Sequence, residues 1–143
     1  MAKKEIEKPY CDGEWSSAKF TAFIKSQLRN ASTRWPPKHK VMSAARVARG
    51  VYLCAGCKQH VTTTVKSEKH SGRERNIFCD HIVPIVDPEV GFTTWDSFIE
   101  ALFCNSDNLQ VLCNECHSKK SAEERRISNA RNRLEKESKN NDL

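Results

Sequence analysis

Four of the seven cysteines fall in two Cys-x-x-Cys pairs, Cys54-Ala-Gly-Cys57 and Cys113-Asn-Glu-Cys116. Two-residue spacing lets a tight turn aim both sulfurs at one ion, and four thiolates in a tetrahedral array suit zinc. The stretch between Cys57 and Cys113 is 55 residues, more than a compact zinc ribbon uses, so it must loop out and return carrying something else. A redox dithiol is the competing use of a single Cys-x-x-Cys; two pairs without a thioredoxin-like setting favour a structural metal. Cys11, Cys79 and Cys104 have no partner at ligand spacing and read as ordinary thiols. His60 is close enough in sequence to the first pair to compete as a ligand, whereas His39 and His70 read as solvent-facing.

The other groups able to do chemistry lie in and around the second half of this unit. They are Cys79-Asp80-His81-Ile82-Val83-Pro84, and the run from Asn108 through Cys113 and Cys116 to His117, Lys119 and Lys120. An Asp-His pair alone is most often a turn or a surface pair, and a histidine beside a zinc knuckle is often a spectator. The complete order is far more specific: Cys-x-x-Cys, Asp-His-Ile-x-Pro, then Asn-x-x-x-x-Cys-x-x-Cys-His-x-x-Lys. From about Tyr52 to Ser121 the chain resembles the HNH, or ββα-metal, nuclease family. The Trp35-Pro36-Pro37 segment and the Trp95–Phe103 insertion are similar, more weakly, to small phage-type members.

The resemblance implies an endonuclease that hydrolyses phosphodiester bonds in DNA, with double-stranded DNA as the expected substrate and nicking as the elementary reaction. It implies His81 as general base, a role suited to an imidazole that titrates near neutrality. Asp80 and His117 become the ligands of a catalytic divalent cation, and the zinc on Cys116 positions His117. Asn108 matches the family's central asparagine and orients the base by fixing a loop. Some family members carry a second histidine where this chain has Asp80. Carboxylate plus imidazole is a harder ligand pair than two imidazoles, so Mg2+ or Mn2+ is expected rather than a catalytic zinc. Two other readings stand beside this one: a non-catalytic zinc-dependent nucleic-acid-binding module, and an RNase.

These residues need elements to hold them. A helix is predicted to start after Ser16 or Ser17, with Phe20, Phe23, Ile24 and Leu28 on one face, ending at Trp35-Pro36-Pro37. A second helix is predicted over about Lys38–Arg49, stopping at Gly50. Short strands at Val51–Leu53 and Val61–Val65 flank the first cysteine pair, Lys66–Arg75 reads as a polar loop, and 76–83 is a β-rich run. Thr94–Phe103 has helical period, Asn108–Leu112 reads as a strand, and a helix is expected near Cys116. The capping-box pattern Ser121-Ala-Glu-Glu124 predicts a further helix to about Lys139, while residues 1–14 and 140–143 read as poorly ordered ends. The expected fold class is α+β: a ββα-metal core around a structural zinc, with flanking α-helices. The expected divisions are a basic helical extension over 1–50, the core over 51–121, and a C-terminal helix and tail over 122–143.

Charge distribution points to the partner. From Trp15 to Ser67 there are ten Lys/Arg and no Asp or Glu, while the rest of the chain holds 14 basic and 18 acidic residues. Such a distribution suits a polyanion, since each cation placed on a phosphate releases condensed counterions. Lys25, Arg29, Lys38 and Lys40 are the expected contacts in this stretch. Lys119 and Lys120 are either phosphate contacts or ordinary helix lysines. The chain has no apolar run of membrane-spanning length and no signal-peptide pattern at its start, so no membrane partner is expected. The cysteine usage is that of a reducing space, which predicts a cytoplasmic protein, including a phage-encoded one acting in the host cytoplasm.

Overall fold

The computed structural model describes residues 5–141. They separate into two compact units, the first ending at Trp35 and the second starting at Pro36.

In the first unit, helix α1 (Ser17–Ser32) begins where Ser16 caps it, its hydroxyl accepting from the Lys19 amide at 3.3 Å. At the far end the buried Ser32 hydroxyl donates back to the Arg29 carbonyl at 2.7 Å. Residues 10–15, just before α1, are more ordered than their composition predicts. Tyr10 and Trp15 exchange both backbone hydrogen bonds, closing a turn through Cys11 and Asp12, both at positive φ. Aromatic stacking supplies the order: Tyr10 lies on Phe20 at 4.0 Å, and Trp15 meets Phe23 edge-on at 5.3 Å. Residues 1–4 of the expected lead-in, and 142–143 of the expected tail, lie outside the described residues.

The second unit opens with α2 (Pro36–Ala45). Pro36 and Pro37 start this helix rather than merely ending the previous one, because the first turn has no use for their missing N–H groups. The helix also stops earlier than its alanines predict. Arg46–Ala48 is instead strand β1, drawn into pairing with β2 (Val51–Leu53) around Arg49 and Gly50. Strand β3 (His60–Thr62) completes an antiparallel sheet in the order β1-β2-β3. The predicted strand over Val61–Val65 is thus broken, since β4 (Thr64–Lys66) leaves that sheet to pair with β5 (Arg73–Arg75). The predicted polar loop is mostly this second hairpin.

Strand β6 (Ile77–His81) pairs antiparallel with β7 (Leu109–Cys113) in a register that sets Asp80 opposite Gln110 and His81 opposite Leu109. Between them runs α3 (Trp95–Leu102), capped by the Thr94 hydroxyl and burying Phe98 and Leu102 one turn apart. Helix α2 packs on β6 and β7. The expected 1–50 segment is therefore divided: α1 belongs to the first unit, while α2 and β1 pack with the second.

Helix α4 (Asn114–Asn141) follows β7 without a connecting loop. It is one helix of 28 residues, not two. The Ser121 pattern is overridden because residues 114–141 contain no glycine or proline, so nothing interrupts the turn begun at Asn114. That start is capped from elsewhere: the buried Asn76 accepts from the Asn114 amide at 3.1 Å. Far along α4, Arg131 donates to the Pro88 carbonyl at 3.0 Å and lies against Gly91, where a Cβ would stand 2.8 Å from the guanidinium. Gly91 also has φ +85°, so both close approach and backbone favour glycine. No described helix is long and apolar enough to cross a membrane.

Candidate functional site

The four predicted zinc ligands converge. The sulfurs of Cys54, Cys57, Cys113 and Cys116 lie within 4.8 Å of one another. Among the described residues this is the one group of three or more His, Cys, Asp or Glu placed to share an ion. Cys54 and Cys57 sit in the turn after β2, which Lys58 closes at φ +61° with its amide donating to the Cys54 carbonyl. Cys113 ends β7 and Cys116 lies in the first turn of α4. The Ala55 amide donates to the Val111 carbonyl at 2.8 Å, tying the first turn to β7.

Chemistry as well as spacing fits a metal. Burial works to raise the Cys54 thiol, yet the amides of Cys113, Cys57 and Gly56, with the Cys57 side chain, bring it down to about 6. Burial pushes Cys113 up, and burial with the neighbouring thiols pushes Cys116 up to about 12. One thiolate forms readily here, and further ones need a cation beside them. Four soft donors at this spacing fit zinc. Exposed His60, on β3, is not part of the group. Cys11 is exposed, and Cys79 and Cys104 are half-buried, all three outside the cluster.

Glycine is required inside the first turn. A Cβ on Gly56 would stand 2.9 Å from the Cys116 sulfur and 3.3 Å from a Leu112 methyl, both parts of the packed cluster. Gly56→Ala is expected to weaken zinc retention and to destabilise the second unit by about 1–3 kcal/mol, the usual range for overpacking. Chelator competition and thermal denaturation check this together.

A second group of polar residues forms next to the cluster. Phe78 and Asp80 are two apart on β6 and so share a face, the one that Gln110 of β7 also occupies. His117, on α4, stacks flat on Phe78 with ring centres 4.4 Å apart, and its Nε2 lies 3.9 Å from Asp80 Oδ1. The other carboxylate oxygen, Oδ2, is held by Lys120 Nζ at 3.1 Å and Gln110 Nε2 at 3.3 Å. Lys120 also bonds Glu124. Burial works to lower the Lys120 ammonium, but Glu124 and Asp80 outweigh it and hold it above its ordinary range.

His81 points to the opposite face and is buried, 8% exposed. Its Nε2 lies 3.0 Å from the Leu102 carbonyl at the end of α3. A carbonyl oxygen can only accept, so Nε2 is the donor in this contact. Asn108 is bonded to the loop that follows: its Oδ1 accepts from the Val83 amide at 2.8 Å and its Nδ2 donates to the Val83 carbonyl at 3.2 Å. Its own carbonyl accepts from the Ile82 amide.

The basic residues picked from sequence fare differently. Lys119 pairs with Glu115 at 2.9 Å in solvent, and Lys120 is committed to Asp80 and Glu124. Lys40 and Arg29 are exposed, and Lys38 and Lys25 are half-buried. Burial, with Arg29 alongside, lowers the Lys25 ammonium. Phe78, Gln110 and the Lys120 bridge were not foreseen. Only strand alternation hinted at them, since it puts Phe78 and Gln110 on the face of Asp80.

What stands is a mixed α+β chain with a four-cysteine cluster able to hold a structural metal ion such as zinc. No protein-family model, no curated protein and no solved structure matches this chain.

Proposed function

We propose that the chain is a metal-dependent endonuclease of the HNH type, with β6, β7 and α4 as its ββα-metal core, cutting phosphodiester bonds in DNA. The observation that carries the reading is the convergence of His117 Nε2 and Asp80 Oδ1, at 3.9 Å, beside the cysteine cluster. Residues 37 apart in sequence meet there, and the stack on Phe78 sets the histidine's orientation. A divalent cation bound by this pair supplies Lewis-acid polarisation of a phosphate oxygen, Mg2+ or Mn2+ fitting the hard carboxylate. His81, on the next strand position, is the base that takes the proton of the attacking water, and its bond to Leu102 holds the ring. The water oxygen forms the new bond to phosphorus as the bond to the departing 3′ oxygen breaks. Asn108 acts as a positioning residue by pinning Ile82 and Val83 immediately after His81.

Lys120 favours a second reading. Its ammonium already neutralises Asp80, as it would in a zinc-dependent nucleic-acid-binding module that never takes a second cation. The two are separated by incubating zinc-loaded protein with supercoiled plasmid, with Mg2+, with Mn2+, or with no added divalent cation. The nuclease nicks plasmid only when the cation is added, and Asp80→Ala and His117→Ala each raise the concentration of Mg2+ needed as well as lowering the rate. Plasmid left intact by protein that binds it speaks for the binding module, and cleavage confined to an added RNA speaks for an RNase.

A further inference from the structure

The β4–β5 hairpin, read from sequence as a loop, sorts its charges by face. Its register sets Thr64 opposite Arg75, Val65 opposite Glu74 and Lys66 opposite Arg73. Opposed residues share a face and alternate residues change face. Thr64, Lys66, Arg73 and Arg75 thus form one face, all four exposed, while Val65 and Glu74 form the half-buried other. The outer face carries three cations and no carboxylate. The one acid of the two strands is turned inward, where Ser67 and Asn114 donate to its two oxygens at 3.1 and 3.3 Å.

This arrangement is costly for an isolated ribbon. A cation directly opposite another destabilises a strand pair, and a two-stranded ribbon is marginal in any case. Among the described residues no ion pair neutralises Lys66, Arg73 or Arg75. Two of the three are instead held in fixed poses by neutral acceptors. Arg73 donates to the Thr64 hydroxyl at 2.9 Å and to the Thr64 carbonyl at 2.8 Å. Arg75 donates to the Ile77 carbonyl at 2.7 Å, and its guanidinium lies 5.0 Å from the Phe78 ring, the ring on which His117 stacks. Through Phe78, Arg75 links this face to the Asp80–His117 group. Cations already ordered lose less entropy when an anion docks on them.

We infer that the outer face of β4–β5 is the phosphate-docking surface for duplex DNA, Lys66, Arg73 and Arg75 seating the backbone so that it leads to Asp80 and His117. This rests on the nuclease reading for its substrate, and it assigns docking to residues other than the Lys25, Arg29, Lys38, Lys40, Lys119 and Lys120 expected from sequence. The test is binding of a short labelled duplex by fluorescence anisotropy across a salt series, with zinc-loaded protein and no added divalent cation. Each phosphate contact contributes about 0.9 to the slope of log affinity on log salt, so the Lys66→Gln, Arg73→Gln protein should have a slope smaller by about 1.8. Across a fourfold rise in salt it should then lose about twelve-fold less of its affinity than the wild type does. Lys136→Gln with Lys139→Gln removes the same charge from the far end of α4 and should leave the slope alone. An unchanged slope in the ribbon variant, with zinc content and circular dichroism preserved, overturns the inference. So does an equal fall in both variants, or a wild type that does not bind duplex DNA. If the double variant does not fold, exposed Lys66→Ala alone should show about half the change, and none overturns the inference. Duplex binding with the expected slope change but no plasmid cleavage sinks the nuclease reading and leaves the ribbon standing; cleavage with an unchanged slope does the reverse.

Discussion

The Cys113→Ser protein is expected to lose its zinc and, with it, the folded state of the second unit. Cys113 is 6% exposed and packs with Cys54 and Leu112, against Ala55, Val61 and Cys116, so ligands and core are the same residues there. A serine hydroxyl neither ionises at neutral pH nor offers the soft donor that zinc prefers. Structural zinc is worth about 10–16 kcal/mol in small zinc-finger peptides, against about 5–15 kcal/mol for the whole stability of a typical domain. With only 38% apolar residues in the chain, hydrophobic burial has little surplus to cover the loss. Elemental analysis and thermal denaturation, each with and without a strong chelator, measure this. Cys79→Ser and Cys104→Ser, outside the cluster, should keep one zinc per chain and a cooperative melt. Native, zinc-free protein with an unaltered melting temperature would refute the structural role of the site.

His81→Ala should lower plasmid cleavage by about two to four orders of magnitude, the usual contribution of a positioned general base. Zinc content and the salt slope of DNA binding should not change, because His81 belongs neither to the cysteine cluster nor to the β4–β5 ribbon. Some stability should go too, since the Leu102 carbonyl loses its partner; about 1–3 kcal/mol is the usual cost of such an orphaned group. His81→Gln separates the two effects. Its amide can still donate to Leu102 but cannot take up a proton, so it should melt closer to wild type and cut no better than the alanine protein. A glutamine variant that cuts at the wild-type rate would remove His81 from the chemistry.

The parts legible from sequence were those whose geometry is local. A Cys-x-x-Cys turn points both sulfurs one way whatever surrounds it, so the cluster could be assembled on paper from Cys54, Cys57, Cys113 and Cys116. Helix α1 announced itself by a serine cap, and both α1 and α3 by apolar residues at helical spacing. The β4–β5 ribbon did not, because its half-buried face holds a single apolar residue, Val65, beside Glu74, which Ser67 and Asn114 hold by hydrogen bonds, and so leaves no apolar period to read. The alternation Arg73-Glu74-Arg75 was the available signal, in charge instead of apolarity. Strand β1 was missed for the opposite reason, since pairing with Tyr52 and Val51 overrides the helical preference of the alanines before it. The Lys120 contact with Asp80 depends on where α4 lies against β6, which only the three-dimensional packing decides.

The unbroken course of α4 from the cysteine cluster outward has an evolutionary consequence. Cys116, His117, Lys120 and Arg131 ride on one rod, and about 22 Å of helix separates the first from the last. Each residue of an α-helix advances about 1.5 Å and turns about 100°. Inserting or deleting a single residue between Cys116 and Arg131 therefore cannot be absorbed where it occurs: whatever lies downstream is swung out of phase. The Arg131 grip on Pro88 and Gly91 would be lost even where the cysteines kept their ion. Substitutions along the solvent side of this rod are cheap, but length changes are not. Lineages descended from this chain should vary freely in the number of residues after Arg131 and hold the count before it constant.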